Sequence, residues 1–270
     1  MPELPEVETS RRGLAPWMEG SKIRTVVVRD RRLRWPVQDD IETILAGQTV
    51  HSVRRRAKYL LFETDAGTAM LHLGMSGSVR IINQDEPAAK HDHIDIQLVS
   101  GKAMRFRDPR RFGSFLWSES IDDHPLIRKL GPEPLGDEFD GAYLWQAARG
   151  RRVAVKQLIM NATVVVGVGN IYASESLFEA GIHPKRRSDR IAKKRMHVLA
   201  AAIRNVLGRA IKAGGTTLQD FHGSDGEPGY FKQSLDVYGR GGEACHRCST
   251  PLSVVVLGQR STFYCKSCQR

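Results

Sequence analysis

The amino-acid sequence predicts an α+β protein: an N-terminal antiparallel β-sandwich with a leading helix, then a mostly helical lobe, then a small metal-bound β-hairpin. Three features lead there. Apolar and polar residues alternate with period two through the first 118 residues, helical spacing marks the stretch from Asp189 to Ala213, and all four cysteines fall in the last 26 residues. A chain of 270 residues is long enough to bury two separate cores.

Taken in order, a helix is expected from about Pro5, where proline suits the first helical position, to about Leu14. Strands are expected over 22–29, 51–63, 68–73, 78–82 and 103–117, broken by Gly, Pro and Asp. The alternation is plainest where Ile94, Ile96 and Leu98 face one way and His93, Asp95 and Gln97 the other. Residues 119–140 hold Pro125, Gly131, Pro132, Pro134 and Gly136 among acidic side chains, which is the composition of a linker. Beyond it, Val153, Lys156, Gln157 and Met160 share a helical stretch, and Asn170 opens another that runs through Leu177 and Phe178 to Gly181. The VVVGVG turn joins the two. Ile191, Met196, Leu199, Ile203, Val206, Leu207 and Ile211 have helical period, with Gly214 where a C-terminal cap belongs. Gly-rich residues 214–230 read as an unusually long loop. The expected domains are therefore 1–118, a linker over 119–140, 141–235 and 236–270.

Composition narrows the partner. Lys and Arg number 41 against 30 Asp and Glu, a net charge of +11 that suits a polyanion. No apolar run approaches the roughly 18 residues of a membrane span, and no lipidation signal or amphipathic anchor appears. The start MPELPEVETS is acidic and Pro-rich, unlike a secretory signal, so a cytoplasmic protein acting on nucleic acid is expected. Cys245-His-Arg-Cys248 and Cys265-Lys-Ser-Cys268 are sixteen residues apart. Each two-residue spacer lets both thiolates of a knuckle turn toward one tetrahedral Zn²⁺. Disulfides or a redox pair are the alternatives, opposed by the cytosolic setting and by the lack of βαβ context. Four protein ligands leave such a zinc no open position for chemistry, which makes it structural.

Further signals are individually weak. Pro2 and Pro5 are consistent with merely shaping the start of a helix, Glu3 and Glu6 with first-turn carboxylates facing the helix dipole, and Met75 and Phe112 with core packing. Lys58 ends the charged run Arg54-Arg55-Arg56, ordinarily a solvated strand face. His91 and His93 share a strand face, but no third metal ligand is within reach in sequence. The basic stretch Lys185–Arg195 reads as a solvated helix end.

The segments PELPEVET, RRAKYLL, LHLGMSG, KHDHID, DPRRFG, LGPEPL, VVGVGNIYASESLFEAGIHP, GGTTL and QRSTFYCKSC, in that order along nearly the whole chain, resemble formamidopyrimidine-DNA glycosylases. That resemblance implies a β-sandwich lobe, a helix-two-turns-helix lobe and a zinc finger, with damaged double-stranded DNA bound between the lobes of a monomer. It implies a base excision repair enzyme of the bacterial nucleoid. Such an enzyme is both glycosylase and abasic-site lyase: it removes oxidised purines, 8-oxoguanine and formamidopyrimidines, and nicks the strand by β,δ-elimination.

The resemblance also assigns roles. Pro2, freed of Met1, corresponds to the nucleophile. A terminal amine titrating at about 8 is neutral at pH 7 far more often than a lysine at about 10.4, and its secondary nitrogen yields a cationic iminium with the deoxyribose C1′. A retained Met1 would acylate that nitrogen. Glu3 corresponds to the proton donor for base loss and ring opening, a task that requires burial to hold its proton, and Glu6 to a contact with the damaged base. Lys58 corresponds to a helper of β-elimination. Arg260, at the tip of the hairpin between strands 252–256 and 262–264, corresponds to the δ-elimination residue, where a permanent cation clamps phosphates and steadies leaving charge. Met75, Arg110 and Phe112 correspond to the wedge that fills the gap when a nucleotide is flipped out, with Arg110 bonding the orphaned base. Lys156 and Asn170 correspond to phosphate contacts, and His91 and Arg151 to two more DNA contacts. Asn161 departs from the acidic residue common in the family. Two rivals remain: an endonuclease VIII-like enzyme for oxidised pyrimidines, whose start carries Gly in place of Leu4, and a non-catalytic zinc protein that only binds DNA.

Overall fold

A computed structural model describes residues 2–215 and 235–270. Met1 and the part of the 214–230 loop after Gly215 lie outside the described residues. The chain forms two compact units, one within Met1–Arg128 and Ala213–Lys232, the other within Lys129–Lys212 and Gln233–Arg270.

In the first unit α1 spans Leu4–Met18. It outruns the expected end at Leu14 because Leu14 and Met18 are both buried in the sandwich core, and that packing outweighs the donor lost at Pro16. After it come β1 (Ile23–Val28), a short α2 (Ile41–Leu45) that the sequence did not suggest, β2 (Ser52–Arg56), β3 (Tyr59–Thr64), β4 (Gly67–His72), β5 (Ser78–Asn83), β6 (Asp92–Leu98), β7 (Lys102–Arg107) and β8 (Ser114–Ser118). They make two antiparallel four-stranded sheets, ordered β1-β6-β7-β5 and β2-β3-β4-β8. Val7, Met18, Phe62, Leu71, Ile96, Met104 and Phe115 fill the core, each such burial contributing about 1.5–3 kcal/mol.

Two expected strands are in fact pairs. The run 51–63 breaks at Ala57-Lys58, where Arg56 pairs with Tyr59 across a two-residue turn. The run 103–117 breaks at 108–113, where the chain leaves one sheet and joins the other. The polar face of β6 is not solvated either. Asp95 is fully buried and accepts two bonds of 2.8 Å from Arg105, whose guanidinium also reaches the Glu86 and Pro87 carbonyls.

The strand order decides where loops meet. β4 and β8 pair in one sheet, β5 and β7 in the other, so the β4–β5 and β7–β8 crossovers run side by side at the same end of the sandwich. They touch through backbone: a Cβ on Gly74, whose φ is +66°, would lie 2.4 Å from the Gly113 nitrogen.

The second unit holds α3 (Gly141–Ala148), α4 (Val155–Ile159), α5 (Asn170–Glu179), a 3₁₀ turn (Ser188–Arg190), α6 (Lys193–Lys212), β9 (Ser253–Leu257) and β10 (Arg260–Tyr264). The sequence did not suggest α3. Val153 and Met160 lie outside α4, and the basic stretch 185–195 is a turn followed by the exposed N-terminal end of α6. From Lys129 onward the expected linker packs as a strap: Phe139 is fully buried, and Arg204 of α6 donates to the Gly136 and Phe139 carbonyls at 2.7 and 3.0 Å. Between α4 and α5, the Asn161 side-chain oxygen accepts from the Thr163 backbone N–H at 3.0 Å and the Thr163 hydroxyl at 2.9 Å. A carboxamide oxygen thus closes this turn, as short polar side chains commonly do. Residues Ile171–Phe178 of α5 are all buried, which makes it the axis of the unit. Its Glu175 accepts from the backbone N–H groups of Asp236, Val237 and Tyr238 at 2.8, 3.0 and 2.8 Å, tying the approach to the hairpin onto the helix. Burial pushes the Glu175 carboxyl up from its ordinary range, against the pull of those donors.

Candidate functional site

Pro2 and Glu3 lie immediately ahead of α1 and are both buried. Glu3 is the N-cap, and it forms a capping box with Glu6, whose carboxylate accepts the Glu3 N–H at 2.8 Å. The helix therefore begins with its positive end at Pro2, where it attracts anions and would favour the neutral form of a freed amine.

Lys58 sits in the β2–β3 turn rather than on a strand face. Near it is a group that sequence reasoning misses: His72 at the end of β4, paired in register with Tyr59, their rings 4.9 Å apart. Its Nδ1 accepts the Gly74 N–H at 3.0 Å, so the neutral ring carries its proton on Nε2. Burial, helped by the charges of Lys58 and Arg34, holds His72 down to about 4. The segment LHLGMSG contains this histidine, but a single histidine ending an apolar strand gives no sequence signal of a site.

Met75 rides on the β4–β5 crossover, and Arg110 and Phe112 on the β7–β8 crossover. Met75 is 38% and Phe112 44% exposed, so neither is a core residue. The Arg110 guanidinium lies 4.7 Å from the centre of the Phe112 ring, a cation–π contact that presents both from one loop. His91 precedes β6 instead of sharing its face, and His93 is turned in, its Nε2 bonded to the Asp108 carbonyl at 2.8 Å. Among the described residues only the four cysteines cluster as metal ligands, so the histidine pair is not a metal site.

Backbone strain marks the same places. Among the described residues, non-glycine positions with positive φ are Ala57, His91, Arg111, Ser249 and Gln259. Ala57 adjoins Lys58, Arg111 lies between Arg110 and Phe112, and Gln259 adjoins Arg260. Such conformations cost about 1–3 kcal/mol each and persist where the surroundings enforce them, commonly at functional sites.

In the second unit Asn170 is the first residue of α5 and Arg260 the exposed first residue of β10. Lys156, expected as a phosphate contact, is buried. It is 1% exposed, and its ammonium donates to Asn170 Oδ1 at 2.6 Å, Thr262 Oγ1 at 2.8 Å and the Ser261 carbonyl at 3.3 Å. With its oxygen held by Lys156, the Asn170 amide turns its NH₂ to the Ser261 carbonyl at 3.0 Å. The buried lysine thereby joins the start of α5 to the strand that carries Arg260. Arg151 stands apart from this group on an exposed turn after α3.

The four cysteine sulfurs all lie within 4.8 Å of one another, with 4.0 Å between Cys245 and Cys268 and 3.4 Å between Cys248 and Cys265, and no disulfide joins them. A tetrahedron of thiolates about 2.3 Å from Zn²⁺ has edges of about 3.8 Å, so the set fits the ion. Cys245 and Cys265 pack with Phe178, Val237 and Leu252 in a small core of their own, which seats the hairpin on α5.

Residues 1–115 match the formamidopyrimidine-DNA glycosylase N-terminal domain, residues 130–222 the H2TH domain of the same glycosylases, and residues 242–270 a zinc finger found in FPG and IleRS. The chain belongs to the formamidopyrimidine-DNA glycosylase family. It is 56% identical to the formamidopyrimidine-DNA glycosylase of Stutzerimonas stutzeri and 57% identical to that of Pseudomonas fluorescens, in each case over 270 residues and 100% of both chains. Among solved structures it is similar to a Lactococcus lactis FPG variant in complex with Fapy-dG-containing DNA, with TM-score 0.92, 32% identity and 100% of both chains covered. It is also similar to the MutM (FPG) protein of Thermus thermophilus, with TM-score 0.89, 36% identity and 99% and 98% of the two chains covered. The cysteine cluster is thus the zinc finger of a formamidopyrimidine-DNA glycosylase, and its one zinc ion is structural.

Proposed function

We propose that this DNA glycosylase removes oxidised purines from duplex DNA and then cuts the backbone at the abasic site, acting as a monomer. The observation that carries this reading is the buried Pro2-Glu3 pair at the positive end of α1. It places a potential secondary-amine nucleophile beside a carboxyl. The Lactococcus lactis relative, solved with Fapy-dG DNA, abasic-site DNA and oxidised-pyrimidine DNA, supports damaged DNA as the substrate, and the Fapy-dG complex favours a purine lesion.

In the reaction, the Pro2 nitrogen attacks C1′ as the bond from C1′ to the base breaks, and the base leaves with the proton that the nitrogen sheds. Glu3 gives a proton to the ring oxygen O4′, the sugar opens, and the nitrogen lone pair forms the C1′ iminium. That cation acidifies C2′–H. Loss of this proton expels the 3′ phosphate, with Lys58 assisting, and loss of the C4′ proton then expels the 5′ phosphate, whose charge Arg260 stabilises. Water hydrolyses the iminium and frees Pro2. Zn²⁺ supplies no chemistry; it fixes the hairpin that carries Arg260. Met75 and Phe112 replace the stacking of the extruded base, Arg110 bonds its former partner, and Asn170, His91 and Arg151 meet phosphates. Lys156 is a positioning residue for Asn170 and β10.

The test uses two duplexes, one with 8-oxoguanine opposite cytosine and one with an oxidised pyrimidine. Faster excision of 8-oxoguanine, followed by nicking, is expected. A preference for the pyrimidine would assign the chain the other specificity, and binding without excision would make it a non-catalytic DNA-binding protein.

A further inference from the structure

We propose that Asp108 is the positioning residue that locks the two crossover loops into one gap-filling unit, with Ser76 as its bridge. This rests on the reading of Met75, Arg110 and Phe112 as the wedge. Asp108 is fully buried, and both of its carboxylate oxygens are bonded to the crossover loops. Its Oδ1 accepts from the Ser76 hydroxyl at 2.8 Å and the Arg110 N–H at 3.3 Å, and its Oδ2 from the Gly113 N–H at 2.7 Å. The Ser76 oxygen in turn accepts the Arg110 N–H at 3.2 Å. The Asp108 N–H donates to the His91 carbonyl at 3.0 Å, and its carbonyl accepts from the Arg111 N–H at 3.2 Å.

One residue thereby holds the neighbour of Met75, both ends of the loop bearing Arg110 and Phe112, and the segment of His91. A carboxylate suits the place best. The Arg110 and Gly113 N–H groups are donors that meet different oxygens of Asp108, so a carboxamide would turn its NH₂ toward one of them. The wedge residues themselves are exposed, so their aim depends on the loop beneath them rather than on packing. Ser76, 5% exposed, is the only contact of this set that crosses between the loops by a side chain on both sides.

The experiment compares single-turnover excision by wild type, Ser76→Ala and Asp108→Asn. One substrate carries 8-oxoguanine opposite cytosine, and the other carries the same lesion opposite an abasic nucleotide, where no base is orphaned and extrusion is easier. Loss of a buried hydrogen bond that aims the wedge should slow the paired substrate about tenfold and the unpaired one far less. In a Phe112→Ala background Ser76→Ala should add little, because both act through the same loop. Equal losses on both substrates, or full additivity with Phe112→Ala, would overturn the proposal. Amide hydrogen exchange at Arg110 and Gly113, measured without DNA, reads loop order directly. It should quicken in both variants, and unchanged exchange overturns the proposal whatever the activity. A wild type that excises 8-oxoguanine from neither substrate would instead overturn the assigned function, while the exchange result still judges Asp108.

Discussion

The two units hold the residues proposed to act on DNA by different means. In the first, Lys58, Met75, His91, Arg110 and Phe112 stand on turns at the rim of a sandwich whose core of Phe62, Leu71, Met104 and Phe115 does not include them. In the second, Asn170 and Arg260 are joined through the buried Lys156, and the hairpin rests on a core of only a few side chains, two of them zinc ligands. The difference teaches where function and fold are separable. A rim substitution in the first unit should remove activity and spare stability, whereas a change near the hairpin should remove both.

Zinc removal should break the comparison most visibly. Binding energy of a structural zinc, about 10–16 kcal/mol in small modules, is folding energy for the hairpin. Chelation, or Cys248→Ser, should abolish DNA binding while the sandwich keeps its own calorimetric transition. A metal-free preparation with full activity would contradict this.

A smaller effect comes from pH, at a rim residue of the first unit that is coupled to stability. His72 is held from its ordinary 6.5 down to about 4. Between those values the unfolded chain binds a proton that the folded chain refuses, so stability falls as the pH drops from about 6.5 to 4 and levels off below, by at most about 3 kcal/mol. His72→Asn, which can still accept the Gly74 N–H, should flatten this slope in thermal melts across that range. An unchanged slope would mean that another group titrates.

Smaller still is Lys156→Met. Removing the ammonium takes the donor from Asn170 Oδ1 and Thr262 Oγ1, while the Ser261 carbonyl keeps the Asn170 amide, at a cost of about 1–3 kcal/mol. The melting temperature of the second unit should drop, and affinity for damaged and undamaged DNA should fall together. An unchanged melting temperature with a salt slope reduced by about one unit would show a surface phosphate contact instead.

Much of this was legible in the sequence, for reasons that differ by residue. The alternation at Ile94, Ile96 and Leu98 reports a sheet face because burial imposes it. The two knuckles report a metal because tetrahedral geometry dictates their spacing. What escaped were short helices such as α2 and α3, too brief for a periodic pattern, and the turn at Ala57-Lys58, whose positive φ falls on a residue that does not advertise it. Charge was legible only as a sum. The letters do not say that Lys156 is buried and Arg260 exposed, because that depends on β10 folding back onto α5 from about a hundred residues away. His72 and Asp108 escaped for the same reason: their partners come from other segments of the chain.

The central claim is that a free secondary amine at Pro2 performs the chemistry, and borohydride trapping on abasic-site DNA tests it most directly. Protein with a free Pro2 should yield the covalent adduct, and Lys58→Ala should still yield it while its elimination steps slow. Protein whose Pro2 nitrogen is acylated, by a retained Met1 or an uncleaved tag, should yield none, because an amide lone pair is delocalised, yet should bind an abasic-analogue duplex unchanged. An adduct from the blocked protein would show that a lysine supplies the amine and that Pro2 does not.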